Sequence, residues 1–92
     1  MIANSNVTID NRRSRVTEWV FEVGDETGKH SHEYDYIVVP MVDGELKIIN
    51  EDGSTELSKL VKGYSYYRNK GVSHNVLNNN DYQFSFVEIE IK

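Results

Sequence analysis

The residues of this sequence best suited to chemistry are its three histidines. His30 and His32 flank a single serine, and in an extended strand, where side chains alternate between faces, both imidazoles project from the same side. Two imidazoles on one face can chelate one ion. An isolated pair of this kind is more often two surface histidines beside a turn, and periodicity alone does not show that His74 lies near it.

The rest of the chain predicts short β-strands to position these histidines. Residues 16–23 alternate, with Thr17, Trp19 and Phe21 on one face. Pro40 cannot donate a ladder hydrogen bond, so it marks an edge or a bulge. Hairpin signals follow at residues 43–44 and 52–53, and further strands are predicted at 34–41, 45–49, 55–61, 64–67, 73–77 and 82–91. The pattern predicts an all-β fold, a small antiparallel β-barrel or jelly roll.

The length and charge of the chain limit its organisation and partners. With 92 residues it is one domain, which we place at residues 15–92, after an arm or extra edge strand at residues 1–14. The net charge of −5 argues against nucleic-acid binding. No apolar run is long enough for a signal peptide or a membrane span, so we expect no membrane partner and a cytoplasmic location.

The spacing around the first two histidines resembles the first motif of the cupin superfamily. That motif runs from a glycine through five residues to His-x-His, then to a glutamate and a closing glycine. This chain has Gly24, five residues, His30, Ser31 and His32, and Gly44 closes the motif. Ile37 stands where the glutamate is expected.

The second cupin motif resembles the segment around the third histidine. Gly63, Gly71, His74 and Asn78 stand at the expected spacings, and Asn69 replaces the usual proline. The resemblance implies a double-stranded β-helix in which His30, His32 and His74 hold one divalent transition metal.

The missing glutamate leaves the fourth metal ligand open. Asp35 is the nearest carboxylate on the expected face, and if it does not reach the metal the site is a plain three-histidine site. Three neutral imidazoles suit iron, manganese, nickel, zinc or copper, and the metal's identity stays open. With no cysteine in the chain, thiolate ligands are excluded.

Aromatic and polar side chains on the predicted inner faces are candidates for a pocket around the metal, although aromatic residues more often fill the core of a small β domain. The final strand places Phe84 and Phe86 on one face with Glu88 and Glu90, which reads as a solvated edge or a homodimer contact; we expect a homodimer. The predicted pocket residues are Trp19, Tyr36, Tyr66, Arg68 and Phe84.

Two functions fit these features. The first is an enzyme, dioxygenase-like or isomerase-like, that acts on a small organic molecule at the metal. The second is a non-catalytic module in which the metal orients or senses a small-molecule ligand. No general acid or base is identified, and the cupin fold hosts many unrelated reactions.

Overall fold

The computed structural model describes all 92 residues and contains nine β-strands and no helix. The strands are β1 (Asn4–Asp10), β2 (Ser14–Phe21), β3 (His30–Ser31), β4 (Asp35–Pro40), β5 (Gly44–Asn50), β6 (Thr55–Leu60), β7 (Tyr66–Arg68), β8 (Ser73–Asn78) and β9 (Phe84–Ile91).

The strands form two antiparallel sheets. A five-stranded sheet has the order β1-β2-β9-β4-β7, and a four-stranded sheet has the order β3-β8-β5-β6. Strands distant in sequence are neighbours in both sheets, as in a double-stranded β-helix, and the core draws side chains from both. The all-β prediction is confirmed.

The inner face of the five-stranded sheet changes from apolar to polar along its strands. At one end Phe21 of β2 lies opposite Phe84 of β9, and both side chains are fully buried. At the other end Arg15 lies opposite Glu90. Every second residue of β9 points inward, and these residues change from Phe84 and Phe86 to Glu88 and Glu90 along the strand. The polar side chains of the inner face therefore lie together at one end of the domain.

Gly44 shows how tightly the apolar end is packed. A Cβ at this position would lie 2.7 Å from Cδ2 of Phe84, closer than packed atoms approach. The glycine that closes the first histidine motif therefore allows the β5 backbone to lie against the Phe84 ring.

The predicted strands recur with small differences at their ends. Near the N-terminus, β1 lies at the edge of the five-stranded sheet and pairs with β2, with a register shift between Val7 and Ile9. Pro40 is the last residue of β4, where its lack of an N–H interrupts no ladder.

The structure contains no helix long and apolar enough to cross a membrane.

Candidate metal centre

Two strand pairs bring the three histidines together. In β3 and β8, His30 lies directly opposite His74. His32 follows β3 and is fixed by backbone hydrogen bonds: its N–H donates to the Val72 carbonyl at 2.9 Å, and its carbonyl accepts from Gly71 at 2.8 Å. Gly71 has φ of +93°, a conformation that glycine adopts without the steric cost of a Cβ.

The imidazole rings meet through their Nε2 atoms. Nε2 of His32 lies 3.0 Å from Nε2 of His30 and 3.2 Å from Nε2 of His74. The candidate ligand atoms of all three lie within 4.8 Å of one another. The structure therefore joins the distant His74 to the pair, which sequence periodicity could not do.

Hydrogen bonding and burial favour neutral rings with free Nε2 lone pairs. Nδ1 of His30 lies 2.9 Å from the Gly28 carbonyl, which can only accept, so this nitrogen carries the proton. Burial, reinforced by the charge of His30, lowers the pKa of both His32 and His74 to about 4. Near pH 7 these two rings are uncharged.

This donor set fits a divalent transition metal. Two nitrogen ligands with bonds of about 2.0–2.1 Å to one ion, at octahedral or tetrahedral angles, lie roughly 2.8–3.4 Å apart. The two Nε2 separations of 3.0 and 3.2 Å agree with that range. Converging lone pairs also repel one another unless a proton or a cation lies among them, so the cluster is a candidate metal site.

Asp35 lies outside this cluster. Its Oδ2 accepts a hydrogen bond of 2.6 Å from the Tyr67 hydroxyl, and its Oδ1 accepts one of 2.8 Å from the Lys70 backbone. Because Tyr36 is buried on the inner face of β4, alternation turns Asp35 to the outer face. The expected fourth ligand is thus not brought to the histidines, and Asp35 instead connects β4 to β7 and the turn after it.

Tyr36 occupies the inward position on β4 beside the histidine cluster. Its ring stacks on the ring of His32, with centroids 3.9 Å apart and planes 16° apart. The inward residue here is one position before Ile37, where motif counting places the missing glutamate. An aromatic ring thus packs against one histidine of the cluster on this side.

A cavity of about 380 Å³ opens onto the histidines. This volume suits a small organic ligand, since ligand pockets begin at roughly 300 Å³. Four of the five predicted pocket residues line it, namely Trp19, Tyr36, Tyr66 and Arg68. Phe84 does not line it, because this side chain is fully buried in the core beneath Gly44.

Glu88 lines the cavity although it is not among the pocket residues predicted from the sequence. It is 9% exposed, lines the cavity, and accepts no hydrogen bond from the protein. Burial raises its pKa to about 7, and the charge of Glu90 adds to this effect. The sequence places it on the same face as Phe84 and Phe86, but predicts a solvated edge or a homodimer contact there rather than a cavity wall.

The negative charge of Glu90, two residues after Glu88 on β9, is neutralised by Arg15. Arg15 donates two hydrogen bonds to its carboxylate, from Nε at 2.8 Å and from Nη2 at 2.9 Å. This bidentate pair holds the charge of Glu90, so Glu88 is the buried carboxylate on this face without a cationic partner.

Asn78, which ends the second motif, has a structural role. Its side-chain amide donates to the carbonyl oxygens of Phe21, Glu22 and Tyr82 at 3.3, 3.1 and 2.9 Å. The buried amide thus connects the end of β8 to the end of β2 and to the turn before β9.

Comparison with known proteins identifies relatives over nearly the whole chain. No protein-family model matches the sequence. A relative from Pseudomonas aeruginosa, named beta-alanine degradation protein BauB, is 46% identical over 86 residues, which cover 94% of this chain and 90% of the relative.

Solved structures agree with the observed fold. A cupin domain from Bordetella pertussis Tohama I is 52% identical and superposes with a TM-score of 0.95, covering 99% of this chain and 94% of that one. An RmlC-like cupin with a double-stranded β-helix fold from Methanocaldococcus jannaschii has a TM-score of 0.80 over 97% of this chain and 79% of its own. At 17% identity, the latter bears on the fold alone.

Proposed function

This chain belongs to the cupin superfamily, and on that premise we propose that it is a metal-dependent enzyme acting on a small organic molecule. In this proposal His30, His32 and His74 hold one divalent transition metal, and the substrate occupies the adjoining cavity. The reaction is dioxygenase-like or isomerase-like, as the family resemblance suggests.

The observation that carries the proposal is the position of the three histidines on the wall of a ligand-sized cavity. A structural metal site closes its coordination sphere with protein ligands, whereas a site with three protein ligands leaves a position for substrate. Here three imidazoles meet with no fourth protein ligand in the cluster, and the cavity lies in front of them.

A bound metal would supply Lewis-acid or oxidation chemistry at this position. The surrounding side chains would orient the substrate. Tyr36 stacks on His32, and Trp19 and Tyr66 supply aromatic walls to the cavity. Burial raises the pKa of Glu88 to about 7, which makes it a titratable group in the wall of the cavity.

The relative from Pseudomonas aeruginosa suggests a substrate class. Its name connects it with beta-alanine degradation. We propose that the substrate of this chain is likewise a small compound related to β-alanine, either the amino acid or a three-carbon acid derived from it. The cavity of about 380 Å³ readily accommodates molecules of this size.

The proposal is tested by turnover with defined metals. The metal-free protein is loaded separately with iron(II), manganese(II), nickel(II), zinc(II) and copper(II), then mixed with small amino, hydroxy and keto acids. Oxygen uptake reports a dioxygenase, and NMR of the substrate reports an isomerase. We expect turnover with one of these metals, and its loss in His32→Ala.

The alternative function makes a different prediction for the same samples. If every metal-loaded form binds a small acid without converting any, the enzyme proposal is overturned and the non-catalytic binding or sensing module is the better account. The Ser31→Ala variant is the matched control, because Ser31 lies between two ligands but its hydroxyl donates outward to Ser73 at 3.1 Å.

We propose further that the protein is a homodimer. β9 is the central strand of the five-stranded sheet, and its outer face carries the half-buried aliphatic side chains of Val87 and Ile89. Val16 and Ile37 flank them on β2 and β4. A strip centred on the middle strand can pack against its own copy about a two-fold axis. Single chains in solution would contradict this.

A further inference from the structure

Glu88 is a buried carboxylate that the histidine cluster leaves without a partner. Its side chain is 9% exposed and faces the cavity, yet no protein donor reaches its carboxylate. Buried carboxylates are normally paired or hydrogen-bonded, because removal of the charge from water is costly. A group supplied by a ligand would complete this position.

Two phenol groups adjoin Glu88 on the same inner face. Val38 of β4 lies opposite Glu88 on one side and opposite Tyr66 of β7 on the other, and Tyr36 is two residues before Val38. The negative charge of Glu88 contributes to raising the pKa of both tyrosines, in agreement with this proximity.

Neither tyrosine hydroxyl is engaged by the protein. Burial is the largest cause of the raised pKa at Tyr36 and at Tyr66, and no hydrogen bond contributes at either. Both residues line the cavity. The inner wall therefore offers one carboxylate and two phenol oxygens, all free to accept hydrogen bonds from a ligand.

We propose that Glu88, Tyr36 and Tyr66 form a subsite for the protonated amino group of a small ligand whose other end reaches the histidine cluster. An ammonium group has three donors, which match the three oxygen acceptors, and its charge compensates the buried carboxylate. The aromatic walls of Trp19 and Phe86 add favourable surfaces for a cation.

Other ligand groups match the subsite less well. A carboxylate in this position would be repelled by Glu88 and brings no donor. A hydroxyl brings one donor and no charge, so it satisfies only part of the acceptor set. Glu88 thus selects a cationic donor over an anionic or neutral group of similar size.

The other charged groups around the cavity do not supply this cation. Arg15 is engaged by Glu90. The guanidinium of Arg68 lies 4.5 Å from the centre of the Tyr66 ring and donates to the Tyr67 carbonyl at 3.0 Å. Arg68 is exposed and its charge lies over the Tyr66 ring, so it does not pair with Glu88.

This inference rests on the proposed function for the location of the ligand's other end, and it is tested separately from the metal. The probes are 3-aminopropanoate, 3-hydroxypropanoate and propanoate, which share a carboxylate and differ only at the third carbon. Zinc(II) is the probe metal, and its stoichiometry is measured in each sample. Affinities come from NMR titration of wild type, Glu88→Gln, Tyr66→Phe and the control Glu56→Gln.

We expect wild type to bind 3-aminopropanoate at least about tenfold more tightly than propanoate, as expected for a charge-assisted hydrogen bond. Glu88→Gln should reduce this preference to about twofold or less, and Tyr66→Phe should reduce it in part. Glu56 also lines the cavity but is exposed, so Glu56→Gln should keep the preference.

The two proposals fail in different ways. Equal binding of all three probes by zinc-loaded wild type, or an unchanged preference in Glu88→Gln, overturns the ammonium subsite and leaves the metal site intact. A preference for the amine that depends on Glu88, in a protein that binds none of the five candidate metals, supports the subsite and contradicts the metal-dependent function.

Discussion

Replacement of Glu88 by glutamine should stabilise the protein in a pH-dependent way. Burial raises the pKa of Glu88 from 4.5 to about 7 in the folded protein. Between these values the unfolded chain has released the proton and the folded protein still binds it. The free energy of unfolding therefore falls as pH rises through this window. Above pH 7 the ionised Glu88 destabilises the folded protein by its full amount.

The size of the effect follows from the two ionisation constants. Each tenfold difference corresponds to about 1.4 kcal/mol, so Glu88 costs the folded protein about 3 kcal/mol at pH 8. Glutamine has nearly the same shape and no charge. We expect Glu88→Gln to be about 3 kcal/mol more stable than wild type at pH 8, and nearly equal to it at pH 4.

Urea unfolding of both proteins at intervals from pH 4 to pH 8 measures this difference, with a chelator present so that no metal contributes. Glu56→Gln is the control, because substitution of an exposed side chain should change stability little at any pH. A difference for Glu88→Gln that is constant with pH, or a variant less stable than wild type at pH 8, would refute the reasoning.

Three further predictions concern the candidate fourth ligand Asp35, the hydrogen bonds of Asn78 and the oligomeric state. Asp35→Ala should leave zinc affinity within about twofold of wild type in a competition titration, because its carboxylate is hydrogen-bonded away from the cluster; a loss approaching that expected for a ligand would restore it as one. Asn78→Ala should lower the free energy of unfolding by about 2–3 kcal/mol in chemical denaturation, because three carbonyl oxygens lose their donor, and an unchanged midpoint would show that water replaces it. Light scattering should give twice the chain mass of 10.6 kDa for wild type and the single-chain mass for Ile89→Lys, whereas a monomeric wild type would contradict the dimer.

The strands were predictable because their pattern is local. Alternation along β2 and the turn residues between strands depend on neighbouring residues only, so both could be identified without the fold. The differences lie at strand ends, as at β2, which begins at Ser14 and ends at Phe21 rather than spanning residues 16–23.

Unlike the strands, the position of His74 opposite His30 could not be predicted from local pattern, because the pairing of β3 with β8 joins distant parts of the chain. Only the spacing of both motifs, through the resemblance to cupins, predicted that these residues share a site. Asp35 shows the limit of that approach: counting along the chain placed a carboxylate near the motif position, but the side-chain parity on β4 directs Tyr36 inward instead.

Glu88 could be placed on the correct face but not in the correct environment. Its parity with Phe84 and Phe86 was clear from the sequence. A glutamate on the face of two phenylalanines is ordinarily expected at a solvated strand end, and only the position of β9 at the centre of the sheet shows that this end of the face is covered.

The most direct test of the central claim is the metal content of the protein purified without an affinity tag. After reconstitution and removal of excess metal, wild type and Ser31→Ala should contain about one transition-metal ion per chain, and His74→Ala should contain none. Equal metal content in wild type and His74→Ala, or no metal in wild type after reconstitution with all five candidate ions, would contradict a site built from His30, His32 and His74.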